Sequence, residues 1–458
     1  MNLKKEGKMK SKENVVNDAN EVQRQGIYDA RILGVPKMIL LGLQHMFSFF
    51  GATVLVPLIV GLPIQTTLLS VGLGTWLFHY VTGRKVPAFL GSSFAFLGGY
   101  ALINASPTFA AMEPYERLAY ANGGALIGVV IFYFSLAFAI WVFGEEKVLR
   151  FLSPVVTGPI IICIGLTLAP SAISNASSNW LLALITVLVV ICFKVWGKGV
   201  FKIVPILMGV VIPYGIVLIA NCFGVGGSWA LDFSSIANAH WLGLPPLIFA
   251  EFNMEAVLIM APICIATMVE HVGDIAAISA TIKRDCLKNP GLHRTLVGDA
   301  LASIFALFFG GPANTTYGEN TGVLEMTRVY DPRVIRIAAG YAVVLAFFPK
   351  VAAFITAIPT AIIGGVSIIL YGMIAAIGIR NLIESHTDLT KSRNLIVVSI
   401  ILVCGLGMNG GVTFSIGGIS ITLTGIALAA IVGITTNAIL PGDDDYTFGE
   451  NPETDSND

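Results

Sequence analysis

The stretch Gly310-Gly-Pro-Ala-Asn-Thr-Thr-Tyr-Gly-Glu-Asn-Thr-Gly322 decides how this chain must fold. Apolar segments long enough to cross a bilayer flank it on both sides. Yet it holds a carboxylate, Glu319, among Gly, Pro and Asn residues that weaken any helix. Ionisable side chains and irregular backbone are tolerated at membrane depth only where protein or a water-filled cavity surrounds them. The stretch therefore reads as a broken membrane segment that carries a ligand site.

The composition agrees. Hydrophobic residues make up 55% of the chain and charged residues 12%, and the mean hydropathy is +0.81. A soluble domain carries about twice that charge. A net charge of −1 argues against nucleic acid as a partner. Cys163, Cys192, Cys222, Cys264, Cys286 and Cys404 are scattered without paired spacing, and read as small core residues rather than a disulfide or metal framework. Residues 1–37 are polar and mixed in charge, which predicts a cytoplasmic tail rather than a signal peptide. Residues 441–458 read as a short acidic cytoplasmic tail.

Fourteen candidate membrane segments follow: 38–60, 64–82, 86–103, 121–143, 149–169, 180–196, 201–223, 255–282, 295–310, 312–327, 334–356, 361–382, 393–408 and 421–440. With the N-terminus inside, every one of the 27 basic residues except Arg117 and Lys350 falls on the inner side. That bias follows the positive-inside rule and places both termini in the cytoplasm. The expected class is an all-α, multi-pass protein of the cell membrane, surrounded by lipid.

The two halves echo each other. Pro and Gly open both the fifth segment (Pro154-Val-Val-Thr-Gly-Pro) and the twelfth (Pro359-Thr-Ala-Ile-Ile-Gly). The third begins Pro87-Ala-Phe-Leu-Gly-Ser-Ser-Phe94, and the tenth Pro312-Ala-Asn-Thr-Thr-Tyr-Gly-Glu319. Each pair is seven apart. Because seven is odd, related halves must enter the membrane from opposite faces, an inverted repeat with its site at discontinuous helices near the midplane. The rival reading is coincidence among common Pro and Gly residues. Length favours the break. As one helix, residues 312–327 reach ~24 Å, short of the ~30 Å core. With Pro312–Tyr317 extended and Gly318–Thr327 helical they reach roughly 35 Å. Pro87–Gly91, with a helix from Ser92, works the same way. The short extended pieces of segments 3 and 10 are expected to pair as antiparallel strands, and the two half-helix N-termini to point at one place.

The eighth segment supplies Glu270-His-Val-Gly-Asp274. Glu270 and Asp274 are four apart and share a helix face, while His271 points about 100° away. A zinc motif needs two His on one face, so no metal is expected. Two carboxylates with no basic residue in the neighbouring segments favour a functional site over a structural polar cluster. Glu270, Asp274 and Glu319 raise one another's proton affinity, which suits proton coupling. His45 in the first segment is a candidate for the same relay, with a packing role as its rival. Asp299 is expected to pair with a loop Lys or Arg. Acceptor carboxylates and free backbone N–H groups suit a neutral, planar solute bearing N–H and C=O groups, with Phe94 placed to stack on its ring.

The chain resembles the nucleobase–ascorbate transporter family, and within it the carriers of uracil. The likeness runs through Gly42-Leu-Gln-His-Met-Phe47, Phe50-Gly-Ala-Thr-Val-Leu-Val-Pro57, Pro87–Phe96, Asn238-Ala-His-Trp241, Glu270–Asp274, Asn289-Pro-Gly-Leu-His-Arg294 and Asn314–Gly322. The resemblance implies two inverted seven-segment halves and a proton symporter working as a homodimer. It implies a core domain (38–143 and 255–356) and a gate domain (144–254 and 357–440). It further implies that Glu270 and Glu319 hold a pyrimidine edge, that backbone N–H groups at Phe94 and Gly318 meet carbonyls, and that Ala52 and Tyr317 line the pocket. The chain departs from the uracil carriers at Asp274, where they carry His and the purine carriers carry Asp. Purine carriers have Gln-Asn where this chain has Glu319-Asn320. The expected function is proton-coupled uracil uptake, with a xanthine or purine symporter as alternative. A non-transporting membrane sensor and an anion carrier are more distant rivals. No nucleophile–base pair or catalytic metal set points to an enzyme, and no cofactor is implied.

Overall fold

The computed structural model describes residues 26–199, 201, 204–223, 233–408, 411–416 and 419–441. The side chains of Glu319 and of residues 414–416 and 419–421 lie outside the described residues, as does most of each expected tail.

The chain is mostly helical. Val35–Val60 (α1) turns through Gly61, whose φ of 86° a side chain would strain, into Ile64–Val81 (α2). Leu90–Ser92 (β1) and Leu97–Ala105 (α3) come next, then the long Pro114–Phe143 (α4). Pro154–Thr167 (α5), Ala169–Ser177 (α6), Trp180–Trp196 (α7) and Pro205–Cys222 (α8) complete the first half. The second half holds Met254–Met260 (α9), Ile263–Ile282 (α10), Leu292–Phe308 (α11), Asn314–Thr316 (β2), Gly318–Thr327 (α12), Pro332–Ala346 (α13) and Pro349–Thr356 (α14). It ends with Thr360–Glu384 (α15), Ser392–Gly407 (α16), Val412–Ile416 (β3), Ile419–Leu423 (β4) and Gly425–Ile439 (α17). Five of these helices begin with Pro at the first position, whose fixed φ suits a helix start and whose missing N–H costs nothing there.

Among the described residues, six helices are long and apolar enough to cross a membrane, or seven if the bent pair α13–α14 counts as one. Their outward faces, and that of the shorter apolar helix α7, carry exposed aromatic side chains such as Phe138, Trp141, Trp180 and Trp196. In water such a surface would aggregate; against acyl chains it is matched.

Two sets of helices pack tightly among themselves. In one, α2 lies between α11 and α13, α4 lies against α11, and α1 against α13. In the other, α15 is enclosed by α5, α6 and α7, and α16 joins α5 to α17. Small residues allow the close approach in the second set: a Cβ on Gly158 would meet the Gly378 carbonyl, and one on Gly165 the Tyr371 carbonyl.

The structure corrects three sequence boundaries. The helix expected from Ser92 begins at Leu97, after a turn over Phe94–Phe96 that the Phe94 carbonyl closes onto the Leu97 N–H. The segment expected as one piece over 334–356 bends by 88° between α13 and α14. Pro349 lacks the N–H to continue the first helix and starts the second. The segment expected from 421 opens in a β3–β4 hairpin, and its helix starts only at Gly425, capped by the Thr424 hydroxyl.

Candidate functional site

The site grows from the crossing of the two broken segments. Leu90, Gly91 and Ser92 pair antiparallel with Thr316, Thr315 and Asn314. Two further bonds extend the ladder: the Ser93 N–H donates to the Ala313 carbonyl (2.8 Å) and the Tyr317 N–H to the Phe89 carbonyl (3.0 Å). Pairing satisfies backbone groups that lipid would leave bare. Each strand is three residues long, because each then yields to a half-helix, α3 or α12.

Gly91 makes the crossing possible. A Cβ there would overlap the Tyr317 ring, which lies across β1 and sends its hydroxyl to the Ser92 carbonyl (3.0 Å). Tyr317 is thus the rivet of the two segments and is buried. Phe89 stacks on Phe49 of α1 with ring centroids 3.6 Å apart. The Ser92 hydroxyl donates to the Thr53 carbonyl (3.0 Å), which holds β1 against α1 next to Ala52, itself fully buried.

α10 brings its acids to this crossing. Asp274 accepts a hydrogen bond from the Thr316 hydroxyl at 2.6 Å, so its face of α10 meets β2. Glu270, one turn earlier on the same face, is half-buried. Gly318 opens α12 directly after the strand, and its nearest neighbour for an added Cβ is the end of Ile377 on α15, at 3.3 Å. The backbone of Glu319 lies in the first turn of α12. Next to it, Asn320 Nδ2 lies 3.1 Å from His45 Nδ1 of α1, both side chains buried. With the amide donating, the imidazole carries its proton on Nε2. Phe94, at the turn before α3, meets the Tyr371 ring of α15 edge-on at 5.8 Å. The two helix sets therefore face each other across the half-helix starts.

Several buried polar atoms around the crossing find no partner among the described residues: Thr53 Oγ1, Ser93 Oγ, Thr315 Oγ1, Asn320 Oδ1 and His45 Nε2. Buried polar groups are normally satisfied, so a cluster of orphans marks a place that receives water or a polar solute. Sequence reading passed over Thr53, Ser93, Thr315, Thr316, Asn320 and Tyr371. Asn320 had a signal in its position beside Glu319; Tyr371, on an ordinary apolar helix, had none.

Asp299 does not pair with a loop cation, as its position near a helix end had suggested. Its Oδ2 lies 3.0 Å from His271 Nδ1, and both side chains are fully buried. α10 thus presents two polar faces. Asp274 reaches the crossing, with Glu270 one turn earlier on the same face, while His271 lies against Asp299 of α11.

The family model described as "Permease family" (Xan_ur_permease) matches residues 36–414. The "Probable uracil permease" of Haemophilus influenzae is 40% identical over 414 residues, covering 88% of this chain and 94% of that protein. The "Uracil permease" of Bacillus caldolyticus is 40% identical over 423 residues (89% and 93%), and that of Escherichia coli K12 38% over 411 residues (87% and 90%). Among solved structures, SLC26A9 superposes with a TM-score of 0.67 at 12% identity, over 90% of this chain and 66% of that one. The transmembrane domain of the cyanobacterial bicarbonate transporter BicA gives 0.54 at 16%, over 90% and 98%. These structural likenesses speak for the fold alone.

Proposed function

The chain belongs to this permease family, and from that premise we propose that it carries uracil across the cell membrane together with protons, by alternating access. The observation that carries the reading is the paired crossing of β1 and β2. It sets two half-helix starts beside a helix face bearing Glu270 and Asp274. Half-helix N-termini offer N–H groups and a positive dipole end to carbonyl oxygens. Carboxylates accept from ring N–H groups, and Phe94 offers a ring face to a flat heterocycle. An inorganic anion would be repelled by the same acids.

In this reading, the fourteen segments form two inverted halves with both termini cytoplasmic. The helix set around α2, α11 and α13 acts as the core that holds substrate. The set around α15 acts as the gate, and two copies form the working unit. The close packing within each set, and the ring contact between Phe94 and Tyr371 across them, support the division.

Labelled uracil uptake into proteoliposomes, with and without an inward proton gradient, tests the function. The gradient is expected to accelerate uptake, and equal rates would remove the coupling. Binding without net flux would instead indicate a sensor. Glu319→Gln is expected to weaken uracil by on the order of a hundredfold, the cost of losing a charged hydrogen bond. Unchanged affinity would remove the site. Asp274, where the resemblance implies His in uracil carriers and Asp in purine carriers, favours a second reading, a xanthine or other purine symporter. Excess xanthine competing against labelled uracil separates the two.

A further inference from the structure

We infer that residues Gly26–Gly34 form a clasp that fixes the spacing of the two acid-bearing helices α10 and α12, and so sets the affinity of the site. The inference rests on the site reading above.

A helix leaves its last carbonyls without intrahelical partners. α10 and α12 both end in left-handed residues, Lys283 (φ 52°) and Arg328 (φ 53°), so both present carbonyls at their C-terminal ends. The clasp takes one from each. The Tyr28 hydroxyl donates to the Ile282 carbonyl (2.7 Å), and the Ile27 N–H to the Arg328 carbonyl (2.7 Å). The Tyr330 N–H returns a bond to the Ile27 carbonyl (2.7 Å), so Ile27 and Val329 form a parallel bridge. The Arg284 guanidinium, just past α10, lies 3.9 Å over the Tyr28 ring, and Tyr330, just past α12, packs on the same ring at 5.4 Å. One aromatic side chain thus touches the ends of both helices.

Two anchors hold the clasp down. The Ala30 N–H donates to Asp331 Oδ2 (2.7 Å), and Arg333 Nη1 donates to Asp29 Oδ1 (2.9 Å). Ile27 and Ala30 are buried against Val329 and Val334, with Leu33, Met38 and Leu41 around them. The segment then runs into α1, the helix of Ala52 and His45, so three site-bearing helices are tied at one end.

Helices transmit such a tie well. Asp274 lies eight residues from Ile282, about 12 Å up a rigid rod. Glu319 lies nine residues from Arg328, about 14 Å. A shift of roughly 1 Å in the spacing of binding groups can cost on the order of a hundredfold. A tie at the far end is therefore felt at the acids.

The test uses full-length variants in proteoliposomes, with labelled uracil as probe and the detergent-solubilised Tm measured alongside. Tyr28→Phe removes only the bond to α10 and keeps the ring. Ile27→Pro removes the N–H donor to α12 together with the buried side chain, and Ile27→Ala, which keeps the N–H, gives the side chain's share by comparison. Tyr28→Phe and Ile27→Pro are each expected to raise the uracil KM by roughly three- to tenfold with the maximal rate nearly kept, and the double variant by more. An unchanged KM, whatever happens to Tm, would overturn the clasp, because a segment that merely adds stability moves Tm alone. Glu270→Gln in the same assay keeps the two claims apart. If it weakens uracil while the clasp variants do not, the clasp falls and the site stands. If it leaves uracil untouched, the site reading falls first.

Discussion

The two broken segments share one backbone device, locked by the Tyr317 ring and the Ser92 hydroxyl, and differ in most of the other contacts they make. The first is held by rings: Phe89 on Phe49, and Phe94 against Tyr371. The second is held by polar contacts: Thr316 to Asp274, and Asn320 to His45. Hydrogen-bonded strands make the crossing rigid in both, so each side chain is free to specialise. The aromatic half supplies a wall that does not change with charge. The polar half supplies groups that accept and donate hydrogen bonds. Under the proposed proton coupling, titrating groups on the polar half would sit on a frame that does not itself titrate.

The sharpest way to break the contrast is from behind the polar half. Asp299→Ala would take from the buried His271 ring the carboxyl group 3.0 Å away, and removing one partner of a buried polar pair costs about 1–3 kcal/mol. A fall in Tm and in the amount of folded carrier is expected from denaturation of the purified protein. Asp299→Asn, which keeps a hydrogen-bonding group at the same place, should recover most of the loss. If Asp299→Ala unfolds no more easily than the parent, the rear contact of α10 is dispensable.

The glycines sharpen the contrast next. Gly91→Val would drive into the Tyr317 ring and unseat the rivet, and overpacking of this kind costs about 1–3 kcal/mol. Gly318→Ala places a Cβ against only the flexible end of Ile377, so the fold should survive while uracil affinity falls. Paired Tm and uracil-binding measurements check both. Equal loss of stability in the two variants would mean that Gly318 is structural as well.

Smaller effects come from the side chains themselves. Asn320→Ala would leave His45 Nδ1 buried without its partner, at about 1–3 kcal/mol, and should alter the pH profile of uptake. Phe94→Ala would remove an edge contact of about 1 kcal/mol and should change KM without moving that profile. A pH profile moved equally by both substitutions would erase the division between the halves.

Much of this was legible in the sequence because it follows from length and local chemistry. A segment of sixteen residues cannot cross as a helix, and Pro312 and Gly318 mark where extended backbone gives way to helix; the structure turns helical at Gly318. The spacing of Glu270 and Asp274 fixed their shared face. Pairing across long distances was harder to see. Nothing near Asp299 in the chain points to His271, because helices α10 and α11 meet only after they fold back on each other. The bend at Pro349 was signalled, but hydropathy alone ran across it. The late start of α3 follows from Phe94–Phe96, apolar residues that sit as well in a turn as in a helix. The clasp was invisible for a different reason. A short segment continuous with a polar tail reads as solvent-exposed until its partners, Ile282 and Arg328, are brought to it.

The smallest expected effect concerns the one acid of the clasp, and it separates clasp chemistry from site chemistry. The Arg31 guanidinium, hydrogen-bonded beside Asp29, with Arg333 as a smaller contribution, holds the Asp29 carboxyl well below the usual carboxylate range. A carboxyl depressed on folding contributes stability above its unfolded value, and loses it as pH falls through the folded one. Asp29 is therefore charged throughout roughly pH 5 to 8 and cannot shape uptake there. Its pairs are also exposed and screened by salt, so Asp29→Asn should change KM by less than about twofold and leave the pH profile where it was. Uptake measured across that range, for Asp29→Asn beside Asp274→Asn, checks this. The pH dependence should follow the substitution on α10 and ignore the one on the clasp. A profile that shifted with Asp29 instead would place the titrating group at the end of the helices rather than at the crossing, and the polar half would lose its special standing.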